Sequence, residues 1–200
     1  MTRLSDLIRQ NRSVRRYRES SGVARKTLEG LVNLARLSAS AANLQPLKYL
    51  LSNNSDQNQE IFECLKWAGY LPEWPGPDAG ERPAAYIVML EDKSVGSSFT
   101  AVDEGIAAQS ILLGAREIGL AGCMLKAFNV PKLARILEVP EGLVPTMVLA
   151  LGEPVEEVVI EEMQQDGSVR YWRTEDQVHH VPKRSLEEII VPSPNGSEEV

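Results

Sequence analysis

The chain has 200 residues, 43% of them hydrophobic, a net charge of −7, two cysteines and two histidines. This length and apolar content suit one globular domain with a real core, and the acidic balance argues against a nucleic-acid binder. No apolar run reaches the length of a membrane span, and the N-terminal MTRLSDLIRQ is charged where a signal peptide is apolar, so a soluble cytoplasmic protein is expected. Cys64, Cys123 and the adjacent His179 and His180 lack metal-ligand spacing, and no metal is expected.

The charge is unevenly spread. Residues 1–26 hold eight basic groups (Arg3, Arg9, Arg12, Arg15, Arg16, Arg18, Arg25, Lys26) against Asp6 and Glu19, a balance of +6 that leaves −13 elsewhere. A local basic cluster on an acidic body suits a small anion such as phosphate. Leu4, Leu7 and Ile8 predict a short one-sided helix running into Asn11-Arg12-Ser13-Val14-Arg15-Arg16-Tyr17. Guanidinium forks and a serine hydroxyl at this spacing surround a phosphate from several sides, although a solvated basic turn has the same composition.

Thr27 is expected to cap a helix bearing Leu28, Leu31, Leu34 and Ala35, which ends in Ser38-Ala39-Ser40-Ala41-Ala42 before Asn43-Leu44-Gln45-Pro46. Small side chains admit a planar ligand to the backbone, and Asn43 and Gln45 each offer a donor and an acceptor to a heterocycle; a helix end and a polar turn is the plainer reading. A strand is predicted over 47–52 and a helix over about 57–68 with Ile61, Phe62 and Leu65 inward. Gly69 to Pro83 is rich in proline and glycine, and Trp67, Tyr70 and Trp74 in or beside it either wall a planar substrate or anchor the loop.

A buried strand over 84–91 leads into Ala101 to Cys123, a helix apolar on nearly every face around which the fold is expected to be organised. Asp103 and Glu104 favour the positive end of its dipole, and Gly119 closes it. Ala107, Ser110 and Gly114 make a stripe of small side chains against which either a core element or a second subunit packs. Strands over 121–128 and 143–151 flank a short helix opened by Pro131 and broken off by Gly142. Beyond Pro154 the chain turns polar, with a candidate hairpin pairing 169–173 with 177–181, then Lys183, Arg184 and a short apolar run.

Element order alone leans towards α/β. The ordered set RSVRRY, SASAANLQP, DEGIAAQSILLGAREIGLAGC and VPTMVLALGEP, however, resembles the FMN-dependent nitroreductase family in its short form, over roughly residues 4–154. The resemblance implies an α+β fold, a mixed and mainly antiparallel sheet flanked by helices, in an intertwined homodimer with FMN at the subunit interface. It implies a core over 1–154 and an extension over 155–192 docking on the partner subunit; the polar composition of 193–200 separately predicts a disordered tail. Matched residue by residue, Arg12, Ser13 and Arg15 hold the phosphate with Arg16 adjacent and Lys183 or Arg184 completing the cradle. Ser40, Asn43 and Gln45 contact the flavin, and the backbone at Leu125 and Lys126 approaches its ring. Asn11, Ala39 and Lys126 depart from the family pattern, the last standing where glycine is common. The activity implied is hydride transfer from NADH or NADPH through the flavin N5 to a planar acceptor such as a nitroaromatic or quinone, in a ping-pong sequence with no catalytic side chain. A specialised flavin-binding protein of the same fold is the alternative.

Overall fold

The computed structural model describes residues 2–163 and 165–192 and divides into two compact units, 1–156 and 157–200. The tail expected at 193–200 lies outside the described residues.

In the first unit, helices α1 (Leu4–Gln10) and α2 (Arg25–Leu37) precede strand β1 (Leu47–Ser52), helix α3 (Ser55–Phe62), strand β2 (Ala85–Asp92), helix α4 (Thr100–Glu117), strand β3 (Ala121–Leu125), helix α5 (Val130–Ile136) and strand β4 (Leu143–Gly152). The sheet order is β1-β2-β4-β3, and every pairing is antiparallel. The four strands are antiparallel throughout and the isolated bridge of Ser13 to Gly122 beside β3 is parallel, a mainly antiparallel arrangement as expected. The physical reason is the α4 crossover: it joins β2 to β3, which run the same way, and β4 returns between them.

Alternation sorts the two faces. Ile87, Met89, Leu149 and Leu151 meet Leu28, Leu31, Ala108, Ile111 and Ala115 in one core beneath α2 and α4. Tyr86, Val88, Leu90, Val148 and Ala150 point the other way and are equally buried. A register shift between Met89 and Leu90 falls opposite Pro145, which has no N–H for the ladder.

Local chemistry sets the boundaries. Thr27 does not cap α2, whose cap residue is Ala24 with no side-chain hydrogen bond; Thr27 lies inside the first turn. The helix expected over 57–68 is shorter and earlier, because Asn54 accepts from the N–H groups of Asp56 and Gln57. It ends at Phe62 because the chain then pairs Leu65 with Phe128, and this pairing occupies the end of the strand expected over 121–128. At the end of α4, Gly119 has φ +82°, and the N–H groups of Gly119 and Leu120 reach the carbonyls of Arg116 and Ala115. This is a Schellman closure, which needs a left-handed residue at that point.

The small-residue stripe of α4 is filled from within the chain. A Cβ on Gly114 would meet Leu34 at 2.2 Å and Leu31 at 3.2 Å, and the Ser110 and Ser38 hydroxyls share a hydrogen bond of 2.7 Å. The partner it admits is α2.

In the second unit, β5 (Val158–Glu162) pairs in parallel with β7 (His179–Lys183), and β6 (Trp172–Arg173) pairs antiparallel with β7. The expected hairpin is thus present in shortened form, Trp172 opposite His180, with the two rings stacked 5.0 Å apart. Helix α6 (Leu186–Ile189) ends the described chain, capped by Ser185. No helix among the described residues is long and apolar enough to cross a membrane.

Candidate functional site

The N-terminal basic segment lies against the start of β3. Ser13 forms a parallel bridge with Gly122, and the Val14 N–H donates to the Gly122 carbonyl at 3.1 Å. Buried Tyr17 anchors the segment, its hydroxyl donating to the Val14 carbonyl, and burial holds that phenol well above its usual pKa. From this base the arginines diverge. Arg15 is 8% exposed; its N–H donates to the Glu156 carboxylate at 2.7 Å and its guanidinium to the Ser13 carbonyl at 3.2 Å. Arg16 makes a forked pair with Glu81, at 2.5 and 2.8 Å, which raises its pKa. Its guanidinium is committed to Glu81 in the proline-rich loop. Arg12 donates through one terminal nitrogen to the Ile8 carbonyl at 2.8 Å, while its Nε is buried without a hydrogen-bond partner and desolvation lowers its pKa.

The turn after α2 is the second component. Ala42, Asn43 and Gln45 have φ of 49°, 56° and 53°, three left-handed non-glycine residues within four positions. Such conformations cost on the order of 1–3 kcal/mol each and persist only where surrounding bonds impose them. The bonds are specific. Ser40 donates its hydroxyl to one oxygen of Asp103 at 2.5 Å, the Ala41 N–H donates to the other at 2.9 Å, and the Gln45 N–H donates to the Ser40 Oγ at 2.9 Å. The Ser40 hydroxyl is thus spent within the turn. Gln45 donates its amide to the Asn43 carbonyl at 3.2 Å.

Lys126 is the third. It follows β3, is exposed, and pairs with Glu104, whose side chain is 3% exposed and whose Oε1 is buried with no hydrogen-bond partner. Leu125, the last residue of β3, is buried in the core. Two consecutive acids of α4 therefore hold two different segments, Asp103 the turn and Glu104 the lysine. Both were expected merely to favour the helix dipole, and that ordinary explanation concealed their partners. Glu81 and Glu156 carried no sequence signal at all.

Between the turn and α4 lies a cleft of about 90 Å³ lined by Ser38, Ala39, Ser40, Gln45, Tyr49, Asp103 and Ala107. Burial, and then the charge of Asp103, push the Tyr49 phenol up to about 12. In the loop beyond, Trp67 is buried with its ring 6.5 Å from Trp74, edge-on, and 5.7 Å from Phe62. Gly76, at φ +122°, closes over Trp67 where a Cβ would meet the indole at 2.5 Å. These two tryptophans anchor the loop, and Tyr70 stays exposed.

Of the predicted residues, then, Arg12, Ser13 and Arg15 share one segment, and Ser40, Asn43 and Gln45 share one turn. Lys183 and Arg184 belong to the second unit, Lys183 at the end of β7 opposite Glu162 and Arg184 paired with Glu188 of α6.

The family model of the nitroreductase family matches residues 8–153. The "Putative NADH dehydrogenase/NAD(P)H nitroreductase" of Methanothermobacter thermautotrophicus is 26% identical over 158 residues, 76% of this chain and 77% of that protein. Among solved structures, an FMN-dependent nitroreductase from Clostridium difficile R20291 superposes with a TM-score of 0.64 at 21% identity, over 77% of this chain and 89% of that one. A protein of Parabacteroides distasonis superposes with a TM-score of 0.63 at 20% identity, over 88% and 99%. The motifs that meet around α4 and β3 lie within the matched span, and the chain belongs to the nitroreductase family.

Proposed function

We propose that this protein is an FMN-dependent oxidoreductase that passes reducing equivalents from NADH or NADPH to a planar acceptor, a nitroaromatic, quinone or similar compound, in a ping-pong sequence. The observation that carries the reading is the division of labour between Asp103 and Glu104, which supports a strained, ligand-shaped turn on one side and a lysine on the other. When bound, FMN supplies the hydride-accepting N5 and the ring on which nicotinamide and acceptor stack in turn.

The residues fit that cofactor. Arg12 has a buried, unpartnered N–H that an anion would satisfy, and with Ser13 and Arg15 it binds the phosphate. Asp103 fixes the turn so that the amides of Asn43 and Gln45 meet the edge of a heterocycle, while Ala39 and Ala41 leave room for a plane. Lys126 supplies positive charge beside it, held in place by Glu104.

A cleft of 90 Å³ is smaller than an ordinary cofactor pocket of about 300–1,000 Å³, and a second subunit that completes it accounts for the difference. Phe99 at the N-terminal cap of α4, and Val102 and Ile106 on the helix, 57%, 55% and 37% exposed, support a homodimer through that end of α4. Leu186, Ile189 and Ile190, all exposed, give the extension an apolar edge with which to dock on the partner, where Lys183 or Arg184 completes the phosphate cradle. Two free cysteines suit a reducing, cytoplasmic setting.

The test is the visible spectrum of the purified protein before and after anaerobic NADH or NADPH. Flavin absorbance that bleaches is the expected result. Flavin that persists would reassign the chain to specialised flavin-binding proteins of this fold, and no flavin after reconstitution with FMN would reject the cofactor.

A further inference from the structure

At the opposite end of β1 from the Asp103-held turn, the Ser52 end, the chain encloses a second cavity of about 160 Å³ between β2, α3 and the segment at 19–22. The length of β1 separates the two, about 17 Å at the rise of an extended strand. None of the proposed flavin-binding residues lines it.

Two of the residues that line it carry buried donors without acceptors. Tyr86 is fully buried and its hydroxyl has no hydrogen-bond partner. Burial raises its phenol far above the usual value, so it keeps its proton and remains a donor. Arg82 lies across the Phe62 ring, 4.3 Å from the centroid, and donates one terminal N–H to Gln59; its Nε is buried and unpartnered. No carboxylate among the described residues forms an ion pair with it. Neighbouring Asn58 is already committed, accepting from the Ser52 hydroxyl at 2.7 Å and donating to the Ala84 carbonyl at 2.8 Å. The wall is held rigid but not satisfied.

A buried donor without an acceptor costs about 1–3 kcal/mol, more when it belongs to a charged group, and arginine cannot discharge itself. The missing partner is therefore an acceptor, and the Arg82 guanidinium favours one that carries negative charge. Two donors on different side chains suit the two oxygens of a carboxylate, the Phe62 ring gives a short alkyl chain something to lie against, and Glu19 in the same wall disfavours a dianion. We propose that this cavity is a binding site for a small monocarboxylate of a few carbons, held between Tyr86 Oη and Arg82 Nε.

The experiment titrates the full-length protein, labelled with 13C-tyrosine, with sodium acetate and then propionate, replacing chloride at constant ionic strength. Tyr86→Phe assigns the ring resonance. A saturable shift of that resonance is expected, with Kd raised at least about tenfold in Arg82→Met, the share of a hydrogen bond to a charged group. Acetate should also raise the thermal midpoint of the parent but not of Tyr86→Phe, which keeps the fold because it deletes an unpartnered hydroxyl. No saturable shift, or an equal shift in Arg82→Met, would overturn the proposal. So would tighter binding of phosphate than of acetate, or a crystal structure grown in acetate showing only water between Tyr86 and Arg82.

Discussion

The Asp103 carboxylate receives the Ser40 hydroxyl at 2.5 Å across 63 positions of sequence, and a turn with three left-handed non-glycine residues depends on it. Asp103 is 4% exposed, so its loss leaves the Ala41 N–H and the Ser40 hydroxyl to find new partners in a largely dry site. Asp103→Ala is expected to destabilise the fold by about 1–3 kcal/mol and to weaken FMN retention, while Asp103→Asn, which keeps an acceptor for Ala41, loses less of both. Urea unfolding and flavin release, measured on the same samples, check the order. Equal behaviour of the two variants would separate the turn from the carboxylate.

Arg12 and Arg16 are neighbours in sequence with opposite commitments. Arg12→Ala removes an Nε–H that has no acceptor and one exposed hydrogen bond to the Ile8 carbonyl, so stability should change little while FMN affinity falls by about 1.5–3 kcal/mol, the range for a hydrogen bond to a charged group. Arg16→Ala breaks the forked pair with Glu81 and frees the loop, and it is expected to increase proteolysis near Gly80 without a comparable loss of flavin. Flavin affinity measured by fluorescence recovery distinguishes them. Unchanged affinity in Arg12→Ala would remove it from the phosphate cradle.

Strands were the most legible part of this sequence. Leu47–Ser52, bounded by Pro46 and a polar turn, and the run ending at Gly152 have the expected extents to within a residue. The helix after β1 is shorter than its apolar spacing predicts, because Ile61, Phe62 and Leu65 keep helical spacing through a segment whose last residue leaves to pair with Phe128. The site was half legible. Ser40, Asn43 and Gln45 stand out by chemistry in a small-residue stretch, but Asp103 and Glu104 looked like ordinary first-turn acids, and no local pattern encodes partners at separations of 63 and 22. The parallel pairing of β5 with β7, twenty-one residues later in the chain, is equally invisible to periodicity, which reports faces and not neighbours.

Gly122 is the point where the basic segment, β3 and β4 converge. A Cβ there would meet the Ala150 carbonyl oxygen at 2.6 Å and Leu112 at the same distance. The backbone of a central strand cannot yield as a side-chain end does, so Gly122→Ala is expected to cost about 1–3 kcal/mol or more. Because Ser13 bridges to this residue, flavin retention should fall with it. A thermal midpoint equal to the parent's would mean that the two strands separate more easily than their packing indicates.

Alkaline stability follows from the buried phenols. Tyr49 holds its proton up to about 12 in the folded state, while an unfolded tyrosine releases it near 10. Between these values the unfolded chain binds fewer protons, so the contribution is complete below pH ~10 and is lost as pH rises towards ~12. Tyr49→Phe should flatten the decline of unfolding free energy over that window by on the order of 1–2 kcal/mol, the full shift being discounted for partial exposure. Denaturant titrations at several alkaline pH values give the slope. An unaltered slope would assign the alkaline loss to Tyr17 and Tyr86.

Lys126 stands beside a carboxylate that is nearly sealed, and the asymmetry of the pair decides what its removal does. The lysine is 57% exposed and the Glu104 side chain 3% exposed, so Lys126→Met costs the lysine little and strands the glutamate. With Oε1 already unpartnered, both oxygens of Glu104 would then be unsatisfied, a penalty of about 1–3 kcal/mol or more. Glu104→Gln, which is neutral, should relieve most of it, so the double variant is expected to be more stable than Lys126→Met alone. The flavin separates a structural role from an electrostatic one: if Lys126 places charge beside the ring, both lysine variants make the bound cofactor harder to reduce, whether or not stability is restored. A reduction potential that follows stability and returns in the double variant would mean that Lys126 acts only by holding Glu104.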